Sequence, residues 1–299
     1  MRIGQQVSSF TWPGAPASIG PTLGNIARWS EYAGATSFWV MDHFWQIPAI
    51  GPTEQEMLEA YTTLGYVAGQ TSRIELGAMV TGAHVRNPAL LLKTVTTLDV
   101  LSGGRAWLGI GAGWYEDEAV GYGIDFPSTR DRFVRLEDTL RLALQMWDAD
   151  DAPFRGIGYR APRPLNSPRP LRRPPILVGG VGEQKTLRMV AQYADGTNLF
   201  DAGPEYVAGK LAVLREHCEN LGRDFGSIRK TVLTRVSLSR QGGERAPSGE
   251  QTMSVAQAVD KLGALAMVGI DTAVVGMGND VEESAYALLA ELVKQVSEL

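Results

Sequence analysis

Cysteine is all but missing from this chain of 299 residues, with Cys218 standing alone, so no disulfide can form within it. The three histidines and that cysteine show none of the spacings of a zinc site, and no metal is expected. A reducing compartment suits such a chain, and the cytoplasm is the expected location. Long apolar runs are missing too: no segment approaches about 18 uninterrupted apolar residues, and the opening MRIGQQVSSF lacks a signal-peptide core. Neither export nor a membrane span is expected. Nor is either charge in large excess, with 28 Lys and Arg against 33 Asp and Glu for a net charge of −5. That balance gives no electrostatic reason to expect nucleic acid or an anionic membrane as partner, and any bound anion must be held locally. What remains is 44% hydrophobic and 20% charged, the composition of a globular protein able to bury a full core.

Short β-type runs fall at Arg2–Val7, Ser37–Met41, Ile74–Thr81, Ala106–Gly111, Pro175–Gly179, Thr197–Phe200, Arg229–Leu238 and Thr272–Gly276. Helix-period stretches lie between them, such as Phe133, Leu136, Leu140, Leu144 and Trp147. Punctuation agrees, since Asn87-Pro88 offers a cap and a first-turn proline and Gly103-Gly104 a stop. Eight strand–helix units predict an α/β fold, a single (β/α)8 TIM barrel over 1–299, because an open doubly wound sheet normally has fewer strands. The repeat is irregular between strands four and five, where an insertion is expected over about 120–174. Its proline- and arginine-rich part, Pro153–Pro175, reads either as a stiff excursion beside the barrel or as a rim over its mouth.

Reacting groups in such a barrel sit at strand C-termini and in the loops after them. His43 follows strand two and His84 strand three, so both are expected at the mouth, whereas His217 falls inside a later helix. A histidine titrates near neutrality, which makes His43, beside Asp42, Phe44 and Trp45, the candidate general acid or base. The turn Gly179-Gly180-Val181-Gly182, followed by Glu183, ends a strand and opens a helix. It can present backbone N–H groups to a phosphate, or it can be a tight packing turn. It completes neither a Walker loop nor a Rossmann fingerprint. Trp12, Trp45 and Trp114 supply flat walls suited to a planar ring, although aromatics are also ordinary core residues.

Three stretches carry a resemblance: WVMDHFWQ at 39–46, RNPALLLKTVTTLDVLSGGRAWLGIGAGWYEDE at 86–118, and PPILVGGVGEQKTLRMVAQYADGTN at 174–198. In their order and combination the chain resembles the luciferase-like oxidoreductases, in particular the short branch that uses the deazaflavin coenzyme F420. Beyond Asn198 only the barrel pattern continues the match. The resemblance implies that Asp42 and His43 lie at the deazaflavin, with His43 giving or taking the proton. It implies a bulged strand with a non-prolyl cis peptide at Ala78 and Met79 behind the ring, and a ring contact from Thr81. Backbone contacts are implied at Ala112 and Gly113, and a phosphate turn at Gly179, Gly180, Val181, Gly182 and Glu183. It also implies a homodimer. One departure matters: the sugar-phosphate dehydrogenases of this family place a glutamate directly after the G-x-G-x-G run, where this chain has Trp114, and their tryptophan four residues past the histidine is Ile47 here.

The expected function is therefore an F420-dependent oxidoreductase moving a hydride between the deazaflavin and a small organic substrate, in the direction of reduction. The alternatives are an FMN-dependent monooxygenase of the same superfamily and a flavin- or deazaflavin-binding protein without turnover.

Overall fold

A computed structural model describes residues 1–299. Its strands, in chain order, are β1 (Arg2–Val7), β2 (Ser37–Val40), β3 (Glu75–Ala78), β4 (Thr81–Gly82), β5 (Leu108–Gly111), β6 (Phe154–Arg155), β7 (Arg160–Ala161), β8 (Ile176–Gly179), β9 (Gly196–Phe200), β10 (Arg229–Arg235) and β11 (Thr272–Gly276). The helices are α1 (Ile19–Tyr32), α2 (Ala60–Gln70), α3 (Pro88–Ser102), α4 (Glu116–Gly121), α5 (Thr129–Trp147), α6 (Thr186–Tyr193), α7 (Pro204–Leu221), α8 (Val255–Met267) and α9 (Glu283–Val296). All strands except the antiparallel β6–β7 pair join one parallel sheet, in the order β3-β2-β1-β11-β10-β9-β8-β5-β4. A bridge from Leu76 to Ala106 links its two ends, so β3 and β4 are halves of one strand and the sheet is an eight-stranded (β/α)8 barrel. No helix is long and apolar enough to cross a membrane.

The split corrects the expected continuous strand over Ile74–Thr81. β3 follows β2 through Ala78, and the Met79 amide still donates to the Val40 carbonyl at 2.8 Å. From Thr81 onward the ladder partner is β5. The cis peptide falls between these two ladders, at Met79–Val80, one residue later than the expected Ala78–Met79. Gly109 is required beside this crossover, because a Cβ there would collide with the Ala78 carbonyl oxygen.

Alternating side chains explain the packing. Apolar residues pointing outward from the strands meet the helices in one large core, whereas inside the barrel Trp39, Met79, Trp107, Leu177 and Val274 form a separate plug. Trp39 and Trp107 meet edge to face, 6.0 Å between ring centroids, and make the floor beneath the barrel mouth. Helix punctuation follows expectation: Asn87 caps α3 by accepting from the Leu90 amide at 3.1 Å, and Gly103 stops that helix at φ +74°.

The expected insertion resolves into parts. Helix α5 within it is the regular partner of strand β5, and the extra chain lies before and after that helix. Residues 148–175 run along the outside of α3 and α5. The buried Asp138 carboxylate accepts the amides of Ile157, Gly158 and Tyr159 at 3.1, 2.7 and 3.0 Å, and Asn166 donates to Thr96 at 3.0 Å. The buried Asp99 carboxylate accepts the Leu171 amide at 2.8 Å. This segment is the excursion beside the barrel, and the rim belongs instead to residues 113–128 and the loop after β2.

Candidate active site

A cavity of about 720 Å³ opens at the strand C-termini. Asp42, His43, Met79, Thr81, Ala112 and Gly113 line it together, joined by Gly179 and Gly180. Ala78 lies buried behind this wall, and Val80, absent from the sequence-based set, takes its place at the surface. Trp114 lines the rim. Trp12 does not line the cavity: its indole packs edge to face on Phe10 at 5.7 Å and lies beside Asp280. Trp45 also turns away, lying over Gly121 with its ring 6.2 Å from that of Tyr122. Both tryptophans were expected in the substrate pocket, and both pack between loops instead.

His43 has a partner that the sequence reading passed over. Its Nδ1 lies 3.2 Å from Oε1 of Glu118, in the first turn of α4. The other oxygen of this buried carboxylate accepts the backbone amides of Phe44 and Trp45 at 2.6 and 2.9 Å. Glu118 thus fixes both the imidazole and the loop that carries it. With Nδ1 facing a carboxylate, Nδ1 is the nitrogen that keeps its proton, and Nε2 is the one left for exchange. Trp114 and Tyr115 stack on each other at 4.9 Å and meet the His43 ring edge to face at 5.6 and 5.8 Å.

Asp42 is committed elsewhere. Its carboxylate, fully buried, is held by both terminal nitrogens of Arg86, with Nη2 to Oδ1 at 2.8 Å, and Arg86 also reaches Glu59 at 2.6 Å. The guanidinium lies 5.0 Å over the Tyr61 ring, whose hydroxyl pairs with that of Thr81 at 2.7 Å. Burial and the nearby Asp42 raise the Tyr61 phenol well above its ordinary value, so it stays neutral. Asp42 therefore organises the wall and is not free to move a proton.

On the opposite side, β8 runs into the glycine turn and α6. The amides of Val181 through Thr186 find no acceptor within the chain, and Gly180 sits at φ +123°. Such a turn leaves room for an anion against the backbone. The Glu183 side chain is not part of that surface, because it pairs with Lys210 of α7 at 2.7 Å, while His217 approaches the Glu183 carbonyl at 2.8 Å. Gly180→Val is expected to weaken a phosphate-bearing ligand by about 10- to 150-fold, from roughly 1.5–3 kcal/mol for a charge-assisted bond. Equilibrium titration checks it, and unchanged affinity would make this a packing turn only.

His84 is buried against Phe126 at 5.1 Å, and neither ring nitrogen makes a hydrogen bond. Burial above all, with Arg132 and Arg135 adding to it, holds this imidazole below its ordinary value and so neutral at pH 7. Asp280 shows the opposite effect: burial pushes its carboxyl up from 3.8 to about 7, against the Trp12 hydrogen bond. The folded state then binds that proton more tightly than the unfolded one. The stabilisation is full below about pH 4 and is lost as pH rises through about 7. Asp280→Asn should flatten the fall in melting temperature between about pH 5 and pH 8; a variant that declines as steeply as the parent would acquit Asp280.

Fold and site together define a (β/α)8 barrel with a histidine–carboxylate pair and a glycine turn with free amides at one mouth. A family model described as luciferase-like monooxygenase matches residues 6–290, and the chain belongs to this family. It is 34% identical over 223 residues to an F420-dependent glucose-6-phosphate dehydrogenase of Kineococcus radiotolerans, a match covering 72% of this chain and 64% of that protein. A phthiodiolone/phenolphthiodiolone dimycocerosates ketoreductase of a Mycobacterium species is 30% identical over 248 residues, covering 73% of this chain and 62% of the relative. The chain thus spans less than two thirds of both. Among solved structures, an F420-dependent secondary alcohol dehydrogenase superposes with a TM-score of 0.82 at 19% identity, over 99% of this chain and 98% of the other. A monooxygenase from Streptomyces bottropensis gives 0.82 at 17% identity, over 99% and 100%.

Proposed function

We propose that this chain is an F420-dependent oxidoreductase acting as a reductase of a small organic substrate. The observation that carries the reading is that His43, with Glu118 behind it, lines the same cavity as Gly179, Gly180 and Thr186, which bound the turn whose amides are free. The residues fit the cofactor. Gly111, Gly113, Gly179 and Gly180 present backbone where a flat ring needs a smooth wall, and a Cβ at Gly111 would stand 3.1 Å from Val80. The glycine turn and Thr186 would hold the phosphate. Bound there, F420 exchanges a hydride at C5 of its deazaflavin.

The chain's own residues do the rest. His43 gives or takes the matching proton at Nε2, and Glu118 holds Nδ1 so that only this nitrogen exchanges. The stacked Trp114 and Tyr115 shield that proton from water on the rim side. The names of the F420-dependent relatives support the cofactor. FMN is the second reading, favoured by the family description and by a turn whose amides could donate to either phosphate. Titration of purified protein decides: F420 should bind at micromolar or better, about −8 kcal/mol, with FMN weaker, and tighter FMN binding would reverse the assignment. By family likeness we also propose a cytoplasmic homodimer, which sedimentation and cell fractionation test.

A further inference from the structure

The cavity has two unlike halves. The half made by β4, β5 and β8 is glycine-rich and ends in the anion turn. The half made by β9, β10, β11, β1 and the loop after β2 is where a second molecule would meet His43. Ile47, Ile50, Phe200 and Leu233 give it apolar surface, and the uncharged Gln6, Ser8, Asn198 and Thr234 line it beside them. At the rim Trp114, Val120 and Tyr122 remain 58%, 63% and 57% exposed, although each is a residue that water disfavours.

The charges in this half are already matched. Arg235 lines it, but its Nε is 3.2 Å from Glu250. Arg132, on the cradle side, donates to the Pro127 carbonyl at 2.5 Å and lies 4.0 Å over the Phe126 ring. No lysine lines the cavity. Asp201 does line it, and despite burial its carboxyl is held below the usual range by Thr234 at 2.6 Å, the Gly203 amide at 3.2 Å and Lys261 at 3.3 Å. A phosphate dianion entering this half would lose its hydration and face a carboxylate, and the cation without an acidic partner, Arg132, lies on the cradle side.

We infer that this half admits an uncharged, largely apolar carbonyl compound or alcohol and rejects phosphorylated sugars. The inference deepens the F420 reading and rests on it. Calorimetric titration of the F420-loaded protein with 4-phenylbutan-2-one and with glucose 6-phosphate tests it. The ketone should bind at least tenfold more tightly. Equal or tighter binding of the sugar phosphate, or no binding of the ketone, overturns the inference. Failure of F420 to load sinks the cofactor reading separately, and the same two ligands are then compared on the Gly180→Val protein, whose turn is expected to hold phosphate more weakly. A second arm uses Glu250→Gln, which releases Arg235: glucose 6-phosphate affinity should rise about tenfold. An unchanged affinity would mean that the Arg235–Glu250 pair does not set the charge preference.

Discussion

Replacing His43 with alanine lowers turnover by about 10²–10⁴-fold and leaves F420 affinity within a few-fold, because a proton-transfer group acts in the transition state and adds little to ground-state binding. Steady-state kinetics together with direct cofactor titration separate the two quantities. Glu118→Gln is the informative companion. Glutamine can still accept a loop amide, but it removes the carboxylate that holds Nδ1, so turnover falls while F420 affinity stays within a few-fold. Loss of stability alone would reduce the amount of active enzyme and leave turnover per active site unchanged. If His43→Ala abolished F420 binding yet turned over normally at saturation, the histidine would be an anchor and the proton would come from elsewhere.

Arg86→Met is expected to destabilise the fold by about 3–5 kcal/mol, since it strands the fully buried Asp42 carboxylate and also frees Glu59. Urea denaturation measures the loss. Adding Asp42→Asn should restore a large part of it, because the cost arises from an uncompensated charge more than from missing contacts. A single variant within about 1 kcal/mol of the parent would show that water or a moving loop neutralises Asp42 readily. Activity should fall as well, as Asp42 precedes His43 in the same loop.

The barrel was legible because strand and helix periods alternate so regularly, and the mouth positions of Asp42, His43, Thr81 and Gly180 follow from strand ends alone. The misses have physical reasons. Hydrophobic alternation says nothing about where a strand changes ladder partner, so the cis bond was set one residue early. Glu116, Asp117 and Glu118 are three adjacent carboxylates at the start of a helix, and which of them turns inward depends on the loop at 42–46, remote in sequence. Arg86 was missed for the same reason. Trp12 and Trp45 follow strands as Trp114 does, and only packing distinguishes a wall from a wedge. The proline- and arginine-rich run could have been placed from topology, since chain that follows a helix returns to the bottom of the barrel, away from the mouth.

The join between the halves of strand three and β5 has a mechanical consequence. Elsewhere neighbouring strands are laced along most of their length, as β1 is to β11 from Arg2 to Gln6, but here the lacing is Thr81 to Ile110, Gly82 to Gly111 and a lone bridge at Leu76. The barrel carries a seam there, closed by Gly109 packing directly on the Ala78 carbonyl, and the seam runs beneath the glycine-smooth wall. A flat molecule lying against Val80 and Gly111 would span both lips of that seam, and slower amide exchange along β4 and β5 on loading is the expected mark of it.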